Sequence, residues 1–235
     1  MIRLAKRMIP ESVKVAIKSH VRDVKLRLVF RELLSREASE ALTQSELERF
    51  RVAHGNIGFS GDSEYLLEIA RQTAKADGPI LECGRGVSTL IVGLIASRRG
   101  IPVISLEQDE GWRDAVTRDL RLLGIPDVTV LRAPLVSYGS YEWYDIDSFQ
   151  LPHHFVRVFC DGPTSCRSWR FGVVPVLGQR GIGFDEIVCD DADDPASAST
   201  LERWGAEFGL SVERLAGAKG ELAICRPVMG TVVVP

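Results

Sequence analysis

The sequence predicts an α/β fold with a mostly parallel sheet that is covered by helices on both faces. From residue 77 onward, short apolar segments typical of strands alternate with segments of helical periodicity. The first of these strands ends in a glycine turn, Gly84-Arg85-Gly86, and continues into an apolar helix. Alternation of this kind makes the strands parallel, because each helix carries the chain back along the sheet. The 235 residues, 45% of them hydrophobic, can bury the core of one such domain together with an accessory segment.

Residues 1–76 are predicted as a helical extension in front of the sheet domain, which takes residues 77–235. Residues 1–31 carry nine basic side chains against Glu11 and Asp23, a net charge of +7. Since the whole chain has a net charge of −3, the remainder carries −10. After Pro10, two neighbouring stripes follow helical spacing. The apolar stripe is Val13, Ile17, Val21, Val24 and Leu28, and the basic stripe is Lys14, Lys18, Arg22 and Lys25.

This basic amphipathic helix, residues 11–31, has two interpretations. In the first, it docks on the domain or on a partner subunit, which would make the protein a homodimer. In the second, it makes peripheral contact with a membrane of anionic lipid. A nucleic acid is not expected as a partner, because the acidic remainder of the chain would repel phosphates.

The chain between this helix and the sheet is predicted to be helical on both sides of a glycine-containing loop. The two helices are placed at Glu32–Phe50 and Ser63–Ala76. The loop at residues 54–62 contains three glycines and Phe59, so it is predicted either as a flap over a ligand or as a plain connector.

Five strands, two further helices and a terminal hairpin are predicted in the sheet domain. A helix over Trp112–Leu123 repeats apolar residues at helical spacing and stops at Gly124, a residue that commonly ends helices. A second helix around Leu201 to Phe208 closes at Gly209. The strands are Pro79–Cys83, Val103–Glu107, Val128–Leu131, Phe155–Cys160 and Glu186–Asp190, and the hairpin joins Leu210–Leu215 to Glu221–Arg226.

Composition excludes several classes of protein. No apolar run approaches the roughly 18 residues of a membrane span, and the N-terminus lacks the apolar stretch of a signal peptide. The five cysteines have no paired spacing, so neither a disulfide framework nor a zinc ribbon is expected. These observations predict a cytoplasmic protein with reduced thiols. Cys83, Cys160 and Cys189 each end a predicted strand.

The glycine turn predicts a nucleotide-sized pocket, because glycine lets the backbone turn tightly against a ligand. One βα unit later, Glu107 ends the second strand, where such folds place a carboxylate on ribose hydroxyls. Four motifs at strand ends are combined with the terminal hairpin: Leu81-Glu-Cys-Gly-Arg-Gly-Val-Ser-Thr, Ser105-Leu-Glu-Gln-Asp, Cys160-Asp-Gly-Pro and Cys189-Asp-Asp-Ala. Together they resemble a class I S-adenosylmethionine-dependent methyltransferase over roughly residues 77 to 227, close to a group of bacterial methyltransferases of mostly unassigned substrate.

The resemblance implies a Rossmann-like, doubly wound sheet of seven strands with the last strand antiparallel. It also implies S-adenosylmethionine as the cofactor and a role for each motif. The backbone at Gly84 and Gly86 would pass under the methionine part, and Glu82 would receive the ammonium group or organise water. Glu107 would accept both ribose hydroxyls. Adenine would be held by backbone groups and apolar contacts. The predicted cofactor set is Glu82, Gly84, Gly86, Ser88, Thr89, Glu107, Gln108, Ala133 and Asp161, with Ser88 and Thr89 also capping the helix.

Catalysis is assigned to Asp161, which ends the fourth strand beside the space for the methyl group. Methyl transfer from a sulfonium mainly requires an aligned acceptor and removal of its proton. Resemblance to catechol-type O-methyltransferases further implies a magnesium site at Asp161, Asp190 and Asp191. The alternative is that these acids cap helices or bind loop amides. The lysine or histidine base of that family has no equivalent in this sequence.

An oxygen acceptor is predicted, because the Asp/Asn-Pro-Pro-aromatic signature of amino-group methyltransferases is absent after strand four. The acceptor would be a small molecule, a glycan or a secondary-metabolite intermediate. Four aromatic residues before the fourth strand either stack on such a substrate or pack over the sheet edge; they are Tyr138, Tyr141, Trp143 and Tyr144. The competing functions are an NAD(P)-dependent oxidoreductase and a non-catalytic S-adenosylmethionine-binding protein. Against the first, Gly84-x-Gly86-x-x-Thr89 lacks the third glycine of a dinucleotide-binding turn.

Overall fold

The fold is a seven-stranded sheet with helices on both faces, in a computed structural model that describes residues 10–35, 42–55, 61, 63–163, 168–217 and 220–228. The helices are α1 Glu11–Leu34, α2 Gln44–His54, α3 Ser63–Lys75, α4 Val87–Ser97, α5 Glu110–Leu123, α6 Val173–Gln179 and α7 Pro195–Phe208. The strands are β1 Ile80–Cys83, β2 Val103–Glu107, β3 Val128–Arg132, β4 Leu135–Ser137, β5 Glu142–Tyr144, β6 His154–Phe155, β7 Arg157–Cys160, β8 Gly183–Phe184, β9 Ile187–Cys189, β10 Leu210–Ala216 and β11 Glu221–Pro227.

The main sheet has the strand order β10-β11-β9-β7-β1-β2-β3. Strands β3, β2, β1, β7 and β9 are parallel, and β11 runs antiparallel to both of its neighbours, β9 and β10. The prediction of seven strands with the last one antiparallel is therefore confirmed. From β1 the chain first builds one half of the sheet and then returns to β7 on the other side of β1. This reversal of direction opens a crevice at the carboxyl ends of β1 and β7, where ligands bind in open α/β sheets.

The central strands are buried on both faces, which explains why they appear in the sequence as continuous apolar runs. All four residues of β1 and all three of β9 are buried. In the strand register Cys83 lies opposite Cys160, and Cys160 lies opposite Cys189. These three cysteines and Cys225 are free and buried. Their small side chains fill the closely packed centre of the sheet.

Two hydrophobic clusters lie on the two faces of the sheet. The first combines side chains of α1 to α5, for example Phe30, Phe50 and Leu90, with Ile80 and Phe159 of the sheet. The second packs α6 and α7 against the opposite face and contains Trp204 and Val176. The helices in front of the sheet thus share a core with the sheet.

The predicted fourth strand, Phe155–Cys160, is wrong as one element, because it divides at Val156. Residues His154 and Phe155 form β6, which pairs with β8 in a separate two-stranded sheet. Only β7, Arg157–Cys160, joins the main sheet, between β1 and β9. The amide of Val156 donates to the carbonyl oxygen of Pro79, so the chain changes partners at this residue.

The predicted helix Glu32–Phe50 is also wrong, because α1 continues to Leu34 and α2 begins at Gln44. A reciprocal capping box explains that start: Oγ1 of Thr43 accepts from the amide of Glu46, and Oε2 of Glu46 accepts from the amide of Thr43 at 2.8 Å. Residues 36–41 lie outside the described residues, as do residues 56–60 and 62 of the predicted flap.

Helix α1 docks on the protein through a face that the two predicted stripes do not include, apart from Arg22. Leu26, Phe30 and Leu33 are buried, and both Nη atoms of Arg22 donate to the carboxylate of Asp119 on α5. The apolar stripe faces outward, with exposed fractions between 41% at Val24 and 61% at Leu28. Among the described residues, no helix is both long enough and apolar enough to cross a membrane.

Candidate functional site

The turn after β1 is organised by the buried carboxylate of Glu82. Its Oε1 accepts from Oγ of Ser88 and its Oε2 accepts from Oγ1 of Thr89, both at 2.7 Å. Oγ1 of Thr89 also accepts from the amide of Gly86 at 3.2 Å, so the expected capping role holds for Thr89. Burial raises the pKa of Glu82 to about 7, although the hydrogen bonds from Thr89 and Ser88 oppose the increase. The two hydroxyls are therefore used inside the turn, and Glu82 holds the turn in shape.

Gly84 brings this turn into direct contact with the loop after β7. Its φ of +84° lies in the left-handed region, and a Cβ there would lie 2.5 Å from the backbone nitrogen of Gly162. The amides of Asp161 and Gly162 both donate to the carbonyl oxygen of Cys83, at 3.0 and 2.8 Å. Asp161 is thereby fixed next to the glycine turn.

Glu107, at the carboxyl end of β2, forms a buried ion pair with Arg85 of the turn. Nε of Arg85 lies 3.0 Å from Oε2 of Glu107, and the guanidinium carbon lies 4.8 Å from the centre of the Trp112 ring. Oε1 of Glu107 accepts from the amide of Asp109 at 2.6 Å. Burial raises the pKa of Glu107 and lowers the pKa of Arg85. Arg85 could not be recognised as a site residue from the sequence, because the middle residue of a glycine turn has no fixed chemistry.

Two more predicted cofactor residues follow the strands next to the turn. The amide of Ala133, after β3, donates to the carbonyl oxygen of Glu107 at 2.8 Å, so this amide is used within the protein. Gln108 is half-buried, and among the described residues its Oε1 atom has no hydrogen-bond partner. A buried amide oxygen without a donor is costly, so this atom is suited to a ligand donor.

The three predicted acids meet at the carboxyl ends of β7 and β9. One oxygen from each of Asp161, Asp190 and Asp191 lies within 4.8 Å of the others. Arg170, a buried residue from the loop before α6, lies among them. Its Nη2 is 2.8 Å from Oδ2 of Asp191 and 3.5 Å from Oδ1 of Asp161, and its Nη1 donates to the carbonyl oxygen of Asp190. Nothing in the sequence pattern marks Arg170, because it lies between elements and ends no strand.

Asp190 is held mainly in its protonated form. Its burial raises the pKa to about 8, with further increases from the charges of Asp161 and Asp191, although Arg170 opposes them. Asp161 keeps about a fifth of its side chain exposed, and Asp191 is largely exposed. The cluster therefore contains two carboxylates that reach solvent beside one neutral, buried carboxyl group.

The segment in front of the sheet also reaches this cluster. A Cβ at Gly61 would lie 3.0 Å from Oδ2 of Asp190 and 2.6 Å from Cδ1 of Tyr65, on α3. Burial raises the pKa of Tyr65 well above its usual value, and the charges of Asp161, Asp190 and Glu82 add to the shift. The phenol therefore stays protonated, and its O–H can donate a hydrogen bond to one of these acids. Tyr65 could not be recognised from the sequence, because it belongs to the helical extension and lies far along the chain from the motifs.

No protein-family model and no curated protein matches the sequence, whereas solved structures match its fold. A candidate caffeoyl-CoA O-methyltransferase from Staphylococcus aureus is 15% identical, with a TM-score of 0.56 over 86% of this chain and 100% of that chain. The SAH-bound methyltransferase PaMTH1 of Podospora anserina is 14% identical, with a TM-score of 0.52 over 94% of this chain and 98% of its own. An O-methyltransferase of Bacillus cereus in complex with SAH is 15% identical, with a TM-score of 0.50 over 86% of this chain and 97% of that chain. The chain has the class I methyltransferase fold.

The residues around Asp161, Asp190 and Asp191 do not fit the magnesium site that was predicted there. Arg170 already places a positive charge against Asp161 and Asp191, and its contact with the carbonyl oxygen of Asp190 holds it there. A divalent ion bound by the same carboxylates would lie beside a fixed guanidinium and be repelled by it. The three acids are brought together as predicted, but the cation among them is a side chain.

The aromatic residues that the sequence offers as candidates for substrate contact pack over the end of the sheet. They lie on and around the hairpin of β4 and β5, where Tyr141, Trp143 and Tyr144 are buried. Tyr141 meets the edge of Phe171 with 5.1 Å between ring centres, and Tyr138 stacks on Tyr141 at 5.4 Å. Of the two interpretations from the sequence, packing describes the three buried rings. Tyr138 is partly exposed and remains a candidate for contact with a substrate.

Backbone strain is concentrated at the acidic cluster. Among the described residues, Ser168, Trp169 and Asp191 are the non-glycine residues with positive φ, at 68°, 45° and 52°. Two of them immediately precede Arg170, and the third is one of its partners. Strained residues of this kind persist where surrounding contacts hold them, which is common at functional sites.

Proposed function

We propose that this protein is an S-adenosylmethionine-dependent methyltransferase that methylates a hydroxyl oxygen of a small molecule or of a glycan intermediate. The observation that carries the proposal is the position of Asp161. Backbone hydrogen bonds hold it against the glycine turn at the crevice of a class I methyltransferase fold, with Arg170 behind it. An acid that reaches solvent at this point is suited to take a proton from a bound hydroxyl.

The residues around the crevice fit S-adenosylmethionine. Oε1 of Gln108 is an acceptor that can take a hydrogen bond from an amino group such as that of adenine. Glu107 ends β2 beside it, and each of its oxygens has a second lone pair besides those used by Arg85 and Asp109. The solved structures with the same fold include two that contain SAH.

When bound, S-adenosylmethionine would supply an electrophilic methyl group on a sulfonium. The protein must hold the acceptor oxygen in line with that group and remove its proton as the new bond forms. Asp161 is the base in this proposal, because it is partly exposed. Asp190 is unsuited to the role below about pH 8, because its carboxyl group is mostly protonated there. Tyr65 stays protonated and can donate a hydrogen bond toward the acids.

Binding of S-adenosylhomocysteine, measured by isothermal titration calorimetry, tests the cofactor. We expect saturable binding of S-adenosylhomocysteine and no binding of NAD or NADP. Glu107→Ala should weaken S-adenosylhomocysteine binding roughly 10- to 100-fold, because a carboxylate that accepts charge-assisted hydrogen bonds contributes about 1.5–3 kcal/mol. Asp114→Ala on the exposed side of α5 is the matched control and should bind like the wild type. Binding of NAD with none of S-adenosylhomocysteine would identify an oxidoreductase.

Asp161→Asn separates an enzyme from a protein that only binds the cofactor. We expect transfer of labelled methyl groups from S-adenosylmethionine to a panel of phenols, catechols and sugars by the wild type. In the variant, transfer should fall roughly 100-fold or more, a much larger loss than any decrease in the affinity for S-adenosylhomocysteine. A wild type that binds the cofactor but transfers to no acceptor, or a fully active variant, would contradict the proposed role of Asp161.

A further inference from the structure

The outward face of α1 carries an apolar stripe that the described parts of the chain leave exposed. Five residues at helical spacing form it, and each is between 41% and 61% exposed: Val13, Ile17, Val21, Val24 and Leu28. From Val13 to Leu28 the stripe is about 22 Å long, at about 1.5 Å per residue. Exposed aliphatic residues are common one at a time, but a continuous stripe marks a surface that interacts.

The stripe cannot turn inward, because the opposite face of α1 is anchored. On a helix with 100° per residue, Leu26, Phe30 and Leu33 lie about 180° from the centre of the stripe, and all three are buried. Arg22 on the anchored side bonds to Asp119 of α5 and donates from Nε to the carbonyl oxygen of His54. Helix α1 therefore presents the stripe to the surroundings as a fixed feature.

Basic residues flank the stripe on both sides. The same helical geometry places Lys14, Lys18 and Lys25 along one side, and Arg27 and Arg31 along the other. All except the half-buried Lys14 are exposed. The two acids among the outward residues are already paired, Glu11 with Lys14 and Glu32 with Arg49. The flanks thus carry excess positive charge.

The apolar surface continues from α1 onto α2. Leu28 and Val52 are 61% and 53% exposed, and they line a shallow groove of about 370 Å³ between the two helices, with Val29 and Ala53 at its base. Lys25, Glu48 and Arg49 also line this groove, and Glu48 is paired with Arg51. The apolar stripe is thereby widened at its C-terminal end, where Lys25 lies at its border.

We propose that α1 lies on the surface of an anionic membrane, with the stripe at the boundary of headgroups and acyl chains and the flanking cations on lipid phosphates. Lysine and arginine on both sides of an apolar stripe match such a surface, because their stems cover apolar area while their charges reach the headgroups. A second copy of the chain fits less well. It would bring the like-charged flanks of two copies together, and this repulsion opposes association.

Co-sedimentation of the full-length protein with vesicles tests the proposal. One set of vesicles contains equal amounts of phosphatidylcholine and phosphatidylglycerol, and the other contains phosphatidylcholine alone. We expect binding to the anionic vesicles at least about tenfold stronger than to the neutral ones, because each lysine near an anionic surface contributes about fivefold. Added salt should weaken the binding, because the Debye length falls from about 10 Å at 0.1 M to about 3 Å at 1 M.

Two double variants separate the contributions of charge and apolar area. Lys18→Glu with Lys25→Glu should lower binding to anionic vesicles roughly 100-fold, and Ile17→Gln with Leu28→Gln should lower it roughly tenfold or more. Lys75→Glu, on α3, and Val212→Gln, on β10, are exposed controls and should bind like the wild type. All these positions are exposed, so circular dichroism and thermal unfolding should be unchanged.

Three outcomes would overturn the proposal. The first is an absence of vesicle binding by the wild type, and the second is equal binding to neutral and anionic vesicles. The third is a dimer in analytical ultracentrifugation that the Ile17→Gln, Leu28→Gln variant dissociates, since this would identify a second copy as the occupant. Cofactor binding is measured separately, so failure here leaves the proposed enzymatic function unaffected.

Discussion

Asp161, Asp190 and Asp191 bring three acidic groups to one end of the sheet, where Arg170 supplies one positive charge. The guanidinium contacts the carboxylates of Asp161 and Asp191 and the carbonyl oxygen of Asp190. One arginine cannot neutralise three carboxylates in a partly buried space, so the most buried of them keeps its proton. Asp190, only 6% exposed, is the acid that does so.

Asp190 makes the stability of the protein depend on pH. Its pKa is about 8 when folded and near its usual value of 3.8 when unfolded. The folded state therefore holds a proton that the unfolded chain releases, so this contribution is present below about pH 4 and is lost as the pH rises to about 8. Relative to the wild type, Asp190→Asn should gain stability across that window, by at most about 6 kcal/mol.

Urea unfolding of wild type and Asp190→Asn from about pH 4 to about pH 9 measures this difference. Asp147→Asn, at an exposed position, is the control, and its free energy of unfolding should equal that of the wild type at every pH. Glu82, whose pKa is also raised, is present in all three proteins. Its contribution to the pH dependence of stability therefore cancels when they are compared. A difference between Asp190→Asn and wild type that does not change with pH would contradict a protonated Asp190.

Arg170 should also decide whether the cluster binds a divalent ion. In the wild type, added Mg²⁺ should leave the thermal midpoint unchanged, because the guanidinium already holds the carboxylates. Arg170→Gln should be less stable by about 3–5 kcal/mol, since it leaves buried charge uncompensated, and added Mg²⁺ should then raise its midpoint. Adding Asp191→Asn to that variant removes one of the three ligands and should abolish the response. A wild type that Mg²⁺ stabilises would restore the magnesium site predicted from the sequence.

Residues of the site that end strands could be predicted from the sequence, whereas those that complete its charge balance could not. Glu82, Glu107 and Asp161 each follow an apolar run directly, so the pattern itself places them at the carboxyl edge of the sheet. Arg85 and Arg170 lie in turns, where no periodicity indicates direction. Their positions depend on contacts with Glu107 and with the acidic cluster, which form only when distant parts of the chain meet.

At the scale of elements, α1 shows the limit of periodicity as a guide to packing. The spacing of Val13, Ile17 and Val21 correctly predicts a helix, but not which face of it docks. The docking face is set by Leu26 and its neighbours together with Arg22, whose partner Asp119 is 97 residues further along the chain. The sheet was easier to predict, because buried parallel strands are apolar at nearly every position.

The ion pair of Arg22 with Asp119 should be a main anchor of α1. Burial would raise the pKa of Asp119, but hydrogen bonds from Arg22 and His54 outweigh it and lower the pKa to about 2. Arg22→Met leaves this buried carboxylate without its main partner and should lower the free energy of unfolding by about 3–5 kcal/mol at neutral pH. Arg113→Met, which removes an exposed pair with Asp114 on α5, should cost less than about 1 kcal/mol.

The stabilisation from a paired Asp119 is present above pH 4 and is lost as the pH falls through about 2, because the carboxylate then gains a proton. In chemical unfolding experiments, the difference in the free energy of unfolding between wild type and Arg22→Met should therefore become smaller as the pH falls from about 4 to about 2. If the two arginine variants were equally stable at neutral pH, α1 would be held by apolar packing alone.

At the scale of the whole molecule, the sheet separates two hydrophobic clusters but also connects them. Phe50 on α2 belongs to the first cluster and Trp204 on α7 to the second, and both are completely buried. The first cluster contains helices of the N-terminal extension and strands of the sheet, with no break between them. We therefore predict that residues 1–76 and 77–235 do not unfold separately, although the sequence divides at this point in composition and charge.

Differential scanning calorimetry should show one transition, with equal calorimetric and van't Hoff enthalpies. Phe50→Ala and Trp204→Ala should each lower the midpoint of that same transition by about 10 °C, because each removes about 3–5 kcal/mol of buried packing. Val212→Ala, at a position that is 36% exposed, should shift it little. Two transitions, of which Phe50→Ala lowers only one, would show that the helical extension is an independent unit. Tyr65 would then reach the acidic cluster from a separable part of the chain, and loss of the extension would alter the site without unfolding the sheet.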